Sequence, residues 1–411
     1  MITAFARPRI VGRRDTRPLD LSILLAVAVV VLQITPLPTR LRWLVSPRID
    51  VDRLTLLLMP DAATSWLSLS LDPLATAMAA SLVAAAAATF WSCRHLSGRG
   101  QALGLLQVVA TVGLVGSVAA IVQRAVDPER IYGVWMPQDA GARPFGPFVN
   151  RNHFGTWLLM AVPLAAGAVA AIGLWRRAPG LVAGVTAGVR AFGSRSGWML
   201  ISLATMLLCL VLTFSRSTMA GAVAASLVWC LLGYGRATRR GSMAALAGIV
   251  VLALLVVWAA PAQPILARVR ETLSLGAAGR TAIWEDARTV AWAYPVAGTG
   301  LGTFERSMLI YQTTDRRTVT NQAHSQYLQL LAEGGALVTV ALGIVAVAFV
   351  RLARQRLSAD TSPAAWLRIG ALSGLAAVAV QGVWETGLRM PANGILLAVA
   401  AAIAVHRPRR N

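Results

Sequence analysis

Arg216 stands in the stretch Thr213–Gly221 (TFSRSTMAG), flanked by Ser215 and Ser217, with apolar runs on both sides. An arginine at such a depth is costly without a partner, and a guanidinium matches phosphate oxygens in a two-pronged fork. A simple turn whose arginine reaches lipid phosphate is the plainer alternative. A second cluster, Asn150, Arg151, Asn152 and His153, closes the stretch Pro144–Gly155 (PFGPFVNRNHFG) where another apolar run begins. Its amides and cation can bind a polar substrate. They can equally serve as a helix N-cap at Asn152 with Arg151 snorkelling to headgroups.

Two further stretches lie in one long polar segment. In Gly279–Glu305, Arg280, Trp284 and Arg288 recur every four residues and share a helix face, beside an apolar stripe of Ile283, Ala287 and Val290. Pro295 ends that helix, and Gly298, Gly300 and Gly302 follow. No strand precedes these glycines and no GK[ST] follows, so a nucleotide-binding loop is a poor fit. The run reads instead as a turn whose backbone N–H groups, Gly300 among them, approach an anion. In Asn321–Gly335 a helix is expected from His324, with Tyr327, Leu328 and Leu331 on the same side. A histidine at a helix N-terminus is pushed toward the neutral form, as a general base requires. Glu333 is a second candidate base, or a charge at the membrane edge.

The elements that position these groups are apolar helices. Of 411 residues 56% are hydrophobic and 13% charged, against about 25% charged in ordinary soluble proteins. The formal charge of +21 comes entirely from arginine, which falls in short clusters between apolar runs; that is a membrane pattern rather than a nucleic-acid face. Ten runs are long enough to span a bilayer: 19–35, 74–93, 102–122, 154–175, 198–214, 217–235, 242–260, 334–350, 367–386 and 391–405. The stretch 44–60 carries Arg48, Asp50, Asp52 and Arg53 and is assigned to the interface. The N-terminus lacks a cleavage site and reads as an anchor. Cys93, Cys209 and Cys230 lie in apolar runs without metal-ligand spacing, so no metal or disulfide framework is expected.

With the N-terminus placed inside, 21 of the 38 arginines and only three acids (Asp15, Asp20, Asp360) face the cytoplasm, and 17 arginines and 14 acids face outward. All four polar stretches then fall on the outer side, together with the long loop 261–333. Both termini are expected to be cytoplasmic.

FVNRNHF, the SRS hinge, GR-x-x-IW, P-x-x-GTGLGTFE and AHSQYLQLLAEGG occur in an order and spacing that resemble the O-antigen ligase and polymerase family of bacterial membrane proteins. The resemblance extends over about residues 144–350, and WLSLSLDP at Trp66–Pro73 is similar to a proteobacterial branch. It implies an all-α inner-membrane protein of about ten transmembrane helices with a GT-C-like fold and a large periplasmic loop. The expected divisions are an N-terminal region 1–143, a core 144–350 containing loop 261–333, and a C-terminal pair 351–411. It also implies transfer of an undecaprenyl-diphosphate-linked glycan to a hydroxyl of a lipid or polysaccharide acceptor, without metal, nucleotide or other cofactor and with no nucleic-acid partner. Arg216 and Arg280 would then grip the diphosphate and His324 would accept or orient the acceptor proton. Asn150, Arg151, Asn152, Ser215, Ser217, Trp284, Arg288, Gly300 and Tyr327 are the candidate substrate contacts. One difference from the family is Ser325, where Asn often follows the histidine. The competing classes are a protein O-glycosyltransferase, a flippase or transporter, and a structural subunit of an envelope assembly.

Overall fold

A computed structural model describes residues 14–56, 66–137, 142–172, 197–236, 277–313, 316 and 320–407. The run 242–260, loop residues 261–276 and 57–60, the arginines at 176, 177, 190, 195, 239 and 240, and those at both chain ends (7, 9, 13, 409 and 410) lie outside them. The other nine apolar runs coincide with helices. These are α1 (Arg17–Ile34), α4 (Pro73–Leu96), α5 (Ala102–Val126), α6 (Arg151–Ala171), α7 (Gly197–Leu212), α8 (Arg216–Gly233), α11 (Gln326–Ser358), α12 (Ala365–Gln381) and α13 (Pro391–Val405). By length and composition five helical stretches can cross a membrane, counting Pro73–Val126 as one, and α7, α12 and α13 are shorter apolar helices. A five-residue π turn at Ser97–Gln101 breaks α4 from α5, with Gly100 at φ +87°.

Helix α6 is the hub. Of its most apolar stretch 83% is enclosed by protein, against 22–33% for the other long apolar helices. It packs on α12, α7, α5 and α13, while α8 crosses α12, α1 crosses α11 and α4 crosses α13. The α6–α12 contact depends on small residues: a Cβ on Gly370 would sit 2.3 Å from the Pro163 carbonyl oxygen. In a bilayer, where apolar surface gains nothing from leaving lipid, such close backbone approach is the main route to helix association.

The polar segments build a cap at one end of the bundle. Helices α2 (Thr39–Val45), α3 (Ile49–Thr55), α9 (Ala277–Ala293) and α10 (Phe304–Tyr311) accompany a short pairing of β1 (Leu37–Pro38) with β2 (Trp66–Leu67). Ile49, Leu71, Ala287, Val290, Tyr294, Phe304 and Met308 form its own core. Within it the Tyr294 and Tyr311 hydroxyls both donate to Asp52, at 2.5 and 2.7 Å. The charged stretch after Leu44 thus belongs to this cap, and α10 is a helix that the sequence reading did not anticipate.

Ion pairs among the described residues separate into two sets. Asp20 with Arg94 (2.7 Å), Asp15 with Arg356 (2.5 Å) and Asp360 with Arg368 (2.9 Å) hold the side assigned to the cytoplasm. Asp50 with Arg42 (2.9 Å) and Asp72 with Arg306 (3.3 Å) hold the other. Each pair joins two residues that arginine bias puts on the same side.

Candidate active site

The site is built around the first turn of α6. Asn150 is the N-cap, its side-chain oxygen accepting from the Asn152 N–H at 2.8 Å. The alternative of a cap at Asn152 is therefore corrected to Asn150, two residues earlier, and the Asn152 amide is available for other work. Its Nδ2 donates to Glu385 Oε2 at 2.6 Å. One residue on, His153 Nε2 lies 3.6 Å from Glu385 Oε1, buried and with no hydrogen-bond partner.

Glu385 is 1% exposed and lies between α12 and α13; its Oε1 also accepts the Thr386 N–H at 3.2 Å. The segment around it is tied to the His324 loop by three contacts. The Thr386 hydroxyl donates to the Gln322 side-chain oxygen, Arg389 Nη1 donates to the Asn321 carbonyl at 2.8 Å, and the Gln326 N–H donates to the Gly382 carbonyl at 2.8 Å.

His324 does not begin α11. Ser325 is the N-cap, its Oγ accepting from the Leu328 N–H at 3.5 Å, and His324 precedes it at φ +47°. Few non-glycine residues adopt this backbone region, and where they do it is worth asking what the strain positions. His324 Nδ1 is buried without a partner. Its pKa is lowered, as expected, but the main cause is burial rather than the helix dipole. The charge of Glu385 opposes the shift, and those of Arg280 and His153 reinforce it. Arg280 on α9 thereby joins His324, His153 and Glu385 in one electrostatic neighbourhood.

Several arginines also bear on the α6 terminus. Arg216 is the first residue of α8, behind the N-cap Ser215, whose Oγ accepts from Thr218 N–H at 3.3 Å and lies 3.1 Å from Ser217 Oγ. The charges of Arg143, Arg124 and Arg216 all act on Arg151. Like charges gathered at the mouth of an apolar bundle favour an anion there.

The remaining sequence candidates divide. Trp284 follows Arg280 by one turn on α9, and its indole N–H is buried without a partner; Arg288, a further turn on, is exposed. The Tyr327 hydroxyl donates to the Ala379 carbonyl at 2.6 Å and fastens α11 to α12. The anion-binding expectation for the glycine turn is corrected. The Gly300 N–H donates to the Glu333 carbonyl at 2.9 Å, and the Glu333 carboxylate accepts from Gly302 N–H and Phe304 N–H, both at 3.0 Å. The anion that this turn binds is the protein's own. Glu333 is thus spent on backbone, which removes it as a candidate base. At Gly300, φ +103° and Ser70 Oγ only 2.4 Å from an added Cβ account for the glycine.

Sequence reasoning missed Glu385 and left His153 outside the site. The available signal was an acid at the outer end of the apolar run 367–386, where an ionisable residue is a functional candidate by default.

A bundle of apolar helices, several of them long and apolar enough to cross a bilayer, capped at one end by the polar segments, defines a multi-pass helical membrane protein. Residues 201–343 match the family model described as O-antigen ligase, so that segment is similar to an O-antigen ligase domain. No curated protein matches the chain. The matched segment holds Arg216, Arg280 and His324, while Asn152, His153 and Glu385 lie outside it.

Proposed function

We propose that the protein transfers an undecaprenyl-diphosphate-linked glycan to a hydroxyl of lipid A core or of a growing polysaccharide, on the periplasmic face of the bacterial inner membrane. The observation that carries this reading is His324, held at a strained positive φ, partly buried and within the field of Arg280, in the segment similar to O-antigen ligase that also contains Arg216.

A diphosphate is already a fair leaving group. The protein therefore has to align two substrates and neutralise the charge that develops as the sugar–phosphate bond breaks. Arg216 and Arg280 supply that charge without a metal, and Arg151 adds to the field that draws the donor in. His324, kept neutral by burial, takes the acceptor proton. Asn150 and Ser215, as N-caps, fix the helix ends that present Arg151 and Arg216. Trp284 and Arg288 extend the α9 face toward the glycan. A GT-C-like arrangement of ten spans with both termini cytoplasmic suits this chemistry, and the separation of ion pairs into two sets supports it. The region 144–350 then carries the site, with 1–143 and 351–411 enclosing it; Glu385 comes from the last of these.

The test is reconstitution of purified protein with an undecaprenyl-diphosphate oligosaccharide and lipid A core, polysaccharide or protein acceptors in EDTA. Transfer by wild type and its loss in Arg216→Ala and His324→Ala is the expected result. No transfer to any acceptor, with glycan lipid instead crossing vesicle membranes, would overturn it in favour of a flippase.

A further inference from the structure

Glu385 is a carboxylate almost wholly removed from solvent, at the buried end of a membrane bundle, without an arginine paired to it among the described residues. Burial of a charge at such a position costs several kcal/mol unless donors surround it. Its donors here are Asn152 at 2.6 Å and the Thr386 N–H at 3.2 Å, and neither is a cation. The groups that balance its charge are two imidazoles. His153 stands 3.6 Å away with Nε2 unpartnered, and His324 feels the carboxylate's field while its own Nδ1 is unpartnered. Two buried histidine nitrogens without hydrogen bonds, one 3.6 Å from the carboxylate and the other on the loop tied to its segment, are rare in a folded interior, where polar atoms are nearly always satisfied. Such an arrangement suits groups whose protonation changes during a reaction.

We propose that Glu385 is the electrostatic partner of the proton-accepting histidine, with His153 as a second imidazole on the same carboxylate; this rests on the glycan-transfer reading above. In the step, the acceptor oxygen bonds to the sugar's anomeric carbon as the bond from that carbon to the diphosphate oxygen breaks. The bonding pair leaves with the diphosphate, toward Arg216 and Arg280. The acceptor's proton passes to His324, and the imidazolium so formed is stabilised by Glu385. Product release returns the proton to solvent. Glu385 is thus a positioning residue acting through His324, and Asn152 holds its Oε2 while Oε1 lies toward His153. This gives the Asn-Arg-Asn-His turn a division of labour. Asn150 caps, Arg151 faces the arginines, and Asn152 and His153 face the carboxylate. The charges bearing on His324 are Glu385 from the segment after α12, Arg280 from α9 and His153 from α6.

The experiment is the pH dependence of kcat for the reconstituted full-length protein, with undecaprenyl-diphosphate oligosaccharide and the acceptor that wild type uses, comparing Glu385→Gln and Glu385→Asp. Glutamine keeps the shape and removes the charge. Its kcat should fall about 100-fold or more while donor KM stays within about threefold, the range that loss of acid–base assistance produces. The acid limb of its profile should move to lower pH, because the carboxylate's field raises the His324 pKa and its removal lowers it. Glu385→Asp retains the charge, so its acid limb should stay where wild type has it; this variant decides the matter if the glutamine protein does not fold. Wild-type kcat and an unmoved limb in Glu385→Gln, or a limb displaced to lower pH in Glu385→Asp, would overturn the proposal while leaving glycan transfer intact. Absence of transfer by wild type would overturn both.

Discussion

Asn152 Nδ2 donates to Glu385 Oε2 at 2.6 Å, joining the first turn of α6 to a segment 233 residues later in the chain. The bond fixes the outer end of the hub helix against the loop between α12 and α13. Replacing Asn152 by Ala removes one of the two short-range donors on a buried carboxylate, at a cost of about 1–3 kcal/mol for the group left short. Asn152→Asp is expected to be worse, because it sets a second carboxylate against the first. Thermal unfolding in detergent should rank wild type above Asn152→Ala and that above Asn152→Asp. Equal midpoints would show that the bond carries no strain-bearing load.

The charge of Arg216 acts on Arg151 at the start of α6, and that of Arg280 acts on His324. Each should matter more to the charge developing in the transition state than to the resting donor. Arg216→Ala and Arg280→Ala are therefore expected to lower kcat by about 100- to 1,000-fold, as loss of one preorganised charge stabiliser does elsewhere. Membrane insertion should be unchanged, as judged by extraction and cysteine labelling of loops. Retention of wild-type transfer by both variants would remove them from the diphosphate site.

The helices were legible because apolar run length is a one-dimensional property. Nine runs of the sequence coincide with helices. Helix α9 was legible for the same reason, its buried Ala287 and Val290 recurring at helical spacing. The site was legible only in its local motifs. Glu385 is brought to Asn152 by the packing of α6 on α12, a relationship between distant segments that no spacing rule encodes. The glycine run misled for a related reason. Its N–H groups do meet an anion, but that anion is Glu333, about thirty residues on, which closes the turn on itself.

Burial holds the His324 pKa below the ordinary histidine value of 6.5, against the opposing field of Glu385. A lowered imidazole stays neutral, and so able to accept a proton, as pH falls through the range where exposed histidines become charged. The acid limb of wild-type transfer should accordingly be centred below 6.5. An acid limb centred above 6.5 would identify a different proton acceptor.

Glu333 gives the contrasting prediction, since its carboxylate satisfies the N–H groups of Gly302 and Phe304 and the side chain of Gln329. Glu333→Ala leaves those buried donors without partners, each worth about 1–3 kcal/mol. The expected phenotype is a lowered unfolding midpoint and faster proteolysis near residues 296–304, with the acid limb of the surviving activity unmoved. A displaced limb with a wild-type midpoint would instead return Glu333 to the proton-transfer chemistry.

Ser325 stands where the resemblance to the O-antigen ligase family leads to an expectation of asparagine, and the structure gives it a local role. Its side chain caps α11, while the residue before it is held at a positive φ, outside the helix. Serine and asparagine are near-equal N-caps, and alanine loses about 1 kcal/mol relative to either. The difference therefore preserves the local function: what must be kept is an acceptor for the Leu328 N–H, not an amide that touches substrate. Ser325→Asn should transfer glycan within about threefold of wild type, whereas Ser325→Ala should lose both stability and rate as the cap that fixes the His324 turn is removed. If Ser325→Asn were inactive while Ser325→Ala was active, the side chain at this position would be reading the acceptor rather than holding the helix end, and the capping account of the family difference would be wrong.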